Sequence, residues 1–312
     1  MSPSERRLWE AVSRRTRQLS PALIEAILLS FQRLRDSVSD ADIARAIAHG
    51  FGEQLAAQII SDAVWNVATA PVRDQLRRGV LRSVTYFQQN LPLPPTTVRS
   101  LGFSFDYLSP HVVPAIRALE TKVLTALKED TRAAVRAVVE RGLSDGLASR
   151  TMAKEIRSMI GLGPTQAQEV ENYRDALLGA NGRRITDYNL RNRTADRLLA
   201  KGPLTPAQVE RYTEAYRKAR IANNASTVAR TAAVDAQKAA QRLAWADAIE
   251  RGIVDGDRLK HKWIGVNDDR ERDAHRAMNN QVQPFNQPYS NGQMVPGDGD
   301  YGCRCLDRFF IA

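Results

Sequence analysis

The sequence is poor in cysteine and aromatic residues, and it has no long apolar run. It contains two cysteines among 312 residues, too few for the disulfide framework of a small secreted domain. The most apolar stretch, residues 22 to 31, already contains Glu25, so no segment reaches the ~20 apolar residues of a membrane helix. No apolar signal core follows the basic first residues. These absences predict a protein made in the cytoplasm, without export and without a membrane partner.

Several common motifs of nucleotide and metal chemistry are also missing. The sequence has no Walker glycine loop, no G-x-G-x-x-G, no H-E-x-x-H and no EF-hand loop. Aromatic residues make up 6% of the chain, and no aromatic-rich segment accompanies its basic residues. Recognition of single-stranded nucleic acid by base stacking is therefore not indicated.

Positive charge is in excess and is concentrated in one segment. The net charge is +10, and the stretch from residue 183 to 220 has ten Lys or Arg against four Asp or Glu. Such an excess favours contacts with DNA phosphates, although a solvated helical face has the same composition. The candidate nucleic-acid-binding residues are Arg183, Arg184, Arg191, Arg193, Arg197, Arg217, Lys218 and Arg220.

The spacing of apolar residues predicts a mainly α protein. Apolar side chains recur at intervals of three and four, with Gly and Pro between the runs, which is typical of amphipathic helices. We expect an elongated bundle of long helices followed by a small C-terminal α+β domain. Three helix starts are predicted from caps: Ser20 with Pro21, a capping box of Thr165 with Gln168, and a capping box of Thr205 with Gln208.

Breaks in the helical pattern divide the chain into four parts. Residues 1–90 form an N-terminal helical region, and residues 91–110 form a linker with three prolines in four positions. Residues 111–252 form a helical body that opens with one helix of about 30 residues ending near Gly142. Residues 253–312 form a small mixed domain with a strand from Leu259 to Val266.

Both cysteines lie near the end of this last domain, separated by one residue. Cys303 and Cys305 follow a histidine, His275, and together these residues supply three typical zinc ligands. His261 or Asp268 would complete a tetrahedral set. The one-residue spacing is tighter than the two to four residues of common zinc knuckles. Zinc is therefore one of several interpretations of this tail.

Three other interpretations of the cysteines stand beside zinc. A redox pair would close a strained, oxidising ring across Arg304. A hydrolase would use Cys303 as nucleophile, His275 as base and Asp268 as orienting group, but no nucleophile-turn signature accompanies them. The structural interpretation has two reduced thiols that hold the end of the chain by packing. We assign no catalytic residue on these grounds.

Taken in order, the C-terminal residues resemble the signature of the phage head morphogenesis family, the Mu-F-like minor head proteins of tailed bacteriophages. Members have a strand ending in tryptophan, then D-x-R-x-R-x-x-H, a PG turn and a closing N-C-R-C. The matching residues here are Trp263, Asp268, Arg270, Arg272, His275, Pro296, Gly297, Cys303, Arg304 and Cys305. Including similar helices upstream, the resemblance covers residues from about 103 to the end.

The resemblance implies a minor capsid component that acts in head assembly, and with it in DNA packaging or ejection. Its implied partners are the portal protein, the major capsid or scaffold protein and packaged double-stranded DNA. Its implied location is the capsid interior at the portal vertex, with the host cytoplasm as the site of assembly. Residues 1–90 would then dock on the portal or scaffold. The alternative functions are a DNA-binding internal head protein and a Cys-His hydrolase or toxin-like enzyme.

This chain departs from the family pattern at three positions. Asn280 stands where a glycine is usual, Gly302 replaces the asparagine before the first cysteine, and Ala232 stands where an acidic residue often follows Arg-Thr. No chemistry is therefore assigned to the acidic or asparagine positions of the family.

Overall fold

The computed structural model describes residues 2–49, 53–93, 111–298, 300 and 302–312. Within these ranges 68% of the chain is helical and one small antiparallel sheet lies near the C-terminus, which confirms the mainly α class with a small C-terminal α+β part. The helices are α1 (Pro3–Asp36), α2 (Asp40–His49), α3 (Glu53–Ile59), α4 (Asp62–Ala68), α5 (Ala70–Gln89), α6 (Val112–Ser144), α7 (Ser149–Met159), α8 (Pro164–Leu178), α9 (Arg193–Leu199), α10 (Pro206–Glu250) and α11 (Asp273–Met278). The strands are β1 (Leu259–Ile264), β2 (Val282–Pro284) and β3 (Leu306–Ile311).

The chain divides into two compact units, each made of several segments. The first contains residues 1–23, 72–123 and 227–312, and the second contains residues 24–71 and 124–226. The predicted division into four consecutive parts stays a prediction. Most of its proline-rich linker, residues 94–110, lies outside the described residues.

The first unit contains the sheet, whose strand order is β2-β1-β3 with both pairs antiparallel. Alternate residues of β1 point inward, so Leu259, His261 and Trp263 are fully buried. In the β1–β3 register Trp263 lies opposite Asp307, and Ile264 lies opposite Leu306. Because β3 begins directly after Cys305, this register brings both cysteines to the end of β1 that carries Trp263.

The second unit is entirely helical in its described part. Helix α2 packs closely against α7, and apolar side chains from both helices are buried there, including Ile43, Ile47, Met152 and Ile156. The side-chain amide of Asn224 donates to the carbonyl of Gly161 at 2.9 Å, where α7 has ended. None of the described helices combines the length and the apolarity that a membrane crossing requires.

Two of the predicted helix starts are wrong. Helix α1 begins at Pro3 and contains Pro21, and Ser20 is buried with its hydroxyl donating to the carbonyl of Thr16 at 2.7 Å. Apolar side chains are buried on both sides of the proline, Val12 before it and Leu23 after it, and their burial offsets the ~3 kcal/mol cost of an internal proline. Sequence alone favoured a start there because proline is frequent in a first turn.

The second wrong start is that of α8, where the capping residues are displaced by two positions. The backbone N–H of Gly163 donates to the Gln166 side chain at 3.1 Å, so Gln166 and not Gln168 closes the cap. The third start is confirmed, because the Thr205 N–H donates to Gln208 Oε1 at 2.8 Å and the Gln208 N–H donates to Thr205 Oγ1 at 3.3 Å. The long helix predicted up to Gly142 is also confirmed as α6.

A buried ion pair fastens the start of α1 to the sheet of the same unit. The Glu5 carboxylate accepts from Lys262 Nζ at 2.9 Å and from the Ser2 N–H at 2.6 Å. Burial alone would raise the pKa of Glu5, but the hydrogen bonds from Ser2 and Lys262 outweigh it and lower that pKa to about 2. The carboxylate is therefore stabilised in its charged form.

We expect Glu5→Gln to lower the free energy of unfolding at pH 7 by about 1–2 kcal/mol. Since the folded-state pKa lies below the ordinary value of 4.5, the contribution is complete above that pH and is lost as pH falls toward 2. Urea unfolding of both proteins across this range measures the effect, and the two stabilities should converge at low pH. Glu10→Gln, at an exposed position of the same helix, is the control and should leave stability unchanged at every pH.

Candidate metal centre

The signature residues meet around a buried aromatic and sulfur cluster in the first unit. Trp263, Met278, Tyr289, Cys303 and Cys305 pack together and are all buried. The Trp263 ring makes edge-to-face contacts with His275 and Tyr289, at centroid distances of 5.5 Å and 5.1 Å. The cluster therefore joins β1, α11 and the segment that leads into β3.

His275 is brought to this cluster by the short helix α11. Helix α11 begins after Arg272, and its residues His275 and Met278 lie three positions apart on one buried face. One ring nitrogen of His275, Nε2, lies 2.9 Å from Asp300 Oδ2. Because a carboxylate only accepts hydrogen bonds, Nε2 is the donor in this contact, and Nδ1 lies on the other side of the ring.

Nδ1, the ring nitrogen of His275 that does not contact Asp300, faces both cysteine sulfurs. Nδ1 lies 3.5 Å from Cys303 Sγ and 3.7 Å from Cys305 Sγ, and both cysteines are free thiols. The three donor atoms all lie within 4.8 Å of one another. The sequence-based set of His275, Cys303 and Cys305 is thus brought together in space.

The pKa values of the two thiols are shifted in opposite directions. The hydrogen bond from the Cys305 thiol, helped by the charge of Lys238, lowers the pKa of Cys303 to about 5 although burial opposes this. The same hydrogen bond and burial raise the pKa of Cys305. The backbone N–H of Cys305 also donates to Cys303 Sγ at 3.4 Å. One thiolate is therefore stabilised within the pair.

Two carboxylates adjoin the cluster that were not singled out from the sequence. Asp300 accepts from His275, and Glu271 Oε1 lies 3.5 Å from Cys305 Sγ while its Oε2 accepts from the Asn267 N–H at 2.6 Å. Glu271 lies before the first residue of α11, so it does not share a helix face with His275. The one local signal was the acidic composition of residues 298 to 300, directly before the cysteines.

Asp268 and His261, the residues considered for completing a zinc set, lie elsewhere. Asp268 forms a bidentate ion pair with Arg304, with N–O distances of 2.7 Å and 2.6 Å, and these hydrogen bonds lower the pKa of Asp268. His261 contacts the Asp307 carboxylate and the carbonyl of Gln287. Asp300, not Asp268, is therefore the group that orients His275.

The other signature residues surround the cluster. The Pro296–Gly297 turn is buried, and a Cβ added at Gly297 would overlap Cys303 Sγ. The carbonyl of Pro296 accepts from Lys238 Nζ at 2.7 Å. Arg270 and Arg272 are exposed. The glycine of the turn is therefore required by close approach of a sulfur.

Two of the departures from the family pattern concern the same backbone conformation. Asn280 has φ +71° and Gly302 has φ +71°, in the left-handed region that glycine and asparagine adopt most readily. This chain has Asn280 where the family has glycine and Gly302 where the family has asparagine, and both residues keep this conformation. Both exchanges therefore stay within the two residue types that adopt this conformation most readily.

The basic stretch of the second unit is partly neutralised. Arg191 pairs with Asp196, Arg217 and Lys218 pair with Glu214, and Arg220 pairs with Glu169. The remaining four arginines are exposed, and no carboxylate of the described chain lies within ion-pair distance of them: Arg183, Arg184, Arg193 and Arg197. About half of the candidate DNA-binding charge is thus available to a partner.

Compared with protein-family models, with curated proteins and with solved structures, the chain matches none.

Proposed function

We propose that this protein is a minor head-morphogenesis component of a tailed bacteriophage, bound at the portal vertex on the inner face of the capsid. The observation that carries the proposal is the convergence of the ordered signature. Trp263, His275, Cys303 and Cys305 share one cluster, with the Pro296–Gly297 turn packed against Cys303. Residues spread over more than 40 positions thus lie together in the folded chain, which supports their interpretation as one signature.

The geometry favours a structural role for the signature over a hydrolytic one. Cys303 and Cys305 lie at similar distances from the same nitrogen of His275, whereas a catalytic base serves one nucleophile. The space lined by Glu271, His275, Cys303 and Cys305 has a volume of about 20 Å³. Such a space accepts a water molecule or a small ion, although Cys303 also lines a larger cavity of about 420 Å³ together with residues of α1 and α10.

The exposed arginines suit a place beside packaged DNA. Arg183, Arg184, Arg193 and Arg197 offer four phosphate contacts in a segment of 15 residues. This observation supports the capsid interior as the location and double-stranded DNA as a partner. It also supports the narrower alternative of a DNA-binding internal head protein.

The proposal is tested by fractionating particles of the phage or prophage that encodes this chain. We expect the chain in purified heads at a few copies per particle, cross-linked to the portal protein, and we expect its deletion to abolish infectious particles. Absence from the heads together with normal infectivity of the deletion would overturn the proposal. A variant with alanine at the four exposed arginines separates the alternatives. Loss of salt-dependent DNA binding is expected for an internal DNA-binding protein, whereas retained cross-linking to the portal is expected for a portal-bound component.

A further inference from the structure

We propose that His275, Cys303 and Cys305 bind one zinc ion, that Glu271 completes the tetrahedral site, and that Asp300 positions His275 as a ligand. The inference goes beyond the proposed function, which assigns the signature no metal. It rests on the distances among the donor atoms, on their burial and on the groups that surround them.

The donor distances agree with those of a tetrahedral zinc site. Zn–S bonds of about 2.3 Å and Zn–N bonds of about 2.0 Å place sulfur and nitrogen about 3.5 Å apart at the tetrahedral angle. The two sulfurs of this site lie 3.5 Å and 3.7 Å from His275 Nδ1. Little movement of these three side chains is therefore needed to bind the ion.

The chemistry of the donors selects zinc over the hard cations. Two thiolates and an imidazole suit Zn²⁺, whereas Mg²⁺ and Ca²⁺ prefer oxygen ligands. His275, Cys303 and Cys305 are all buried, and the space that they line with Glu271 holds about 20 Å³. Buried ligands of this kind are typical of a structural zinc site.

The orientation of His275 is that of a metal ligand. Asp300 Oδ2 accepts from Nε2 at 2.9 Å, and in this orientation Nδ1 faces the two sulfurs. A carboxylate on the second ring nitrogen is the usual support of zinc-bound histidine, and its removal weakens metal binding 10–100-fold. The Asp300 carboxylate reaches the proposed site through His275, and its backbone carbonyl accepts from the Cys303 N–H at 3.3 Å.

Glu271 lies beside Cys305. Its Oε1 lies 3.5 Å from Cys305 Sγ, close to the ligand-to-ligand separation of a tetrahedral site, and its Oε2 is fixed by the Asn267 N–H. Glu271 is not within 4.8 Å of all three other donors, so this side chain moves toward the ion on binding. The bound ion would join the loop before α11 to the segment before β3.

The test uses the full chain purified under reducing conditions from zinc-supplemented cells. We expect about one zinc per chain by elemental mass spectrometry, and we expect the metal-free chain to take up Co²⁺ with thiolate charge-transfer and tetrahedral d–d absorption. Cys303→Ser and Cys305→Ser should each abolish zinc retention. A chain with both thiols reduced that holds no zinc and gives no cobalt spectrum would overturn the proposal.

A matched pair of carboxylate variants tests the positioning role. Asp300→Asn should weaken zinc binding 10–100-fold, whereas Asp268→Asn, which removes the partner of Arg304 and no ligand support, should leave affinity unchanged. Glu271→Gln should weaken binding and keep the cobalt charge-transfer band, since both sulfurs remain. Equal affinities for Asp300→Asn and wild type would remove Asp300 from the site.

One further measurement needs no variant and holds even where the cysteine variants fail to fold. Removal of zinc from the wild-type chain by a chelator should accelerate alkylation of Cys303 and Cys305 together, and added zinc should restore their protection. Alkylation at the same rate with and without the chelator would contradict the proposal. A failed zinc test leaves the virion role untouched, because particle fractionation does not depend on metal content.

Discussion

Trp263→Ala is expected to lower the free energy of unfolding of the sheet-containing unit by about 3–5 kcal/mol. Trp263 is fully buried and lies against His275, Tyr289 and both cysteines, so its removal leaves a cavity at the centre of the signature cluster. The loss of stability exceeds that of a typical surface substitution, because β1, α11 and the segment before β3 all lose contacts with the Trp263 ring.

Because the chain has two compact units, the stability of the sheet-containing unit should be measured separately from the unfolding of the whole chain. Native-state hydrogen exchange of the β1 and β3 amides reports the opening free energy of this unit alone. Trp263→Phe is the matched control and should cost about 1–2 kcal/mol. It retains an aromatic ring and sacrifices no hydrogen bond, since Trp263 Nε1 has no partner among the described residues. A Trp263→Ala chain within 1 kcal/mol of wild type would contradict the assignment of this residue to the core.

Asp235→Asn is expected to cost about 3 kcal/mol, the second largest effect. Asp235 pairs with Lys122 at 2.8 Å and lies 3.9 Å from Lys238, whose side chain is 3% exposed. Without the carboxylate, Lys238 keeps the Pro296 carbonyl as its one hydrogen-bond partner in the described part of the chain, and its buried charge loses a nearby anion but retains the Cys303 thiolate. Lys122 is about one-third exposed and keeps a second partner, the Asp298 carboxylate, at 2.8 Å.

The mechanism of this loss is separable by a second substitution. Lys238→Met keeps the volume of the side chain and removes the buried charge, so the double variant Asp235→Asn with Lys238→Met should be more stable than Asp235→Asn alone. Hydrogen exchange at the β3 amides again measures the stability of the unit. A double variant as unstable as the sum of the two single changes would show that Asp235 and Lys238 are not coupled.

Local features of the fold were predictable from the sequence because the residues that produce them are neighbours in the chain. The capping box of Thr205 and Gln208 spans four residues, and the left-handed Gly179 after α8 is a residue type typical of helix ends. Ile116 and Val138, whose spacing places them on one face of a helix, are both buried in α6. The grouping of His275 with the two cysteines was also predictable, since their residue types share one chemistry.

Other features depended on residues far apart in the chain. Pro21 stays inside α1 because burial on both sides of it outweighs the local preference for a helix start. His275 is oriented by Asp300, 25 residues away, rather than by the nearer Asp268.

The basic stretch makes the same point for charge. Arg220 is paired with Glu169, 51 positions earlier, and no rule of composition identifies such a partner. Helical periodicity, helix caps and the order of the signature residues are local properties of the chain, so they can be predicted from the sequence. Which carboxylate meets which cation, and which side chains surround the two sulfurs, depends on the packing of distant segments, so these partners emerged only once the chain was folded.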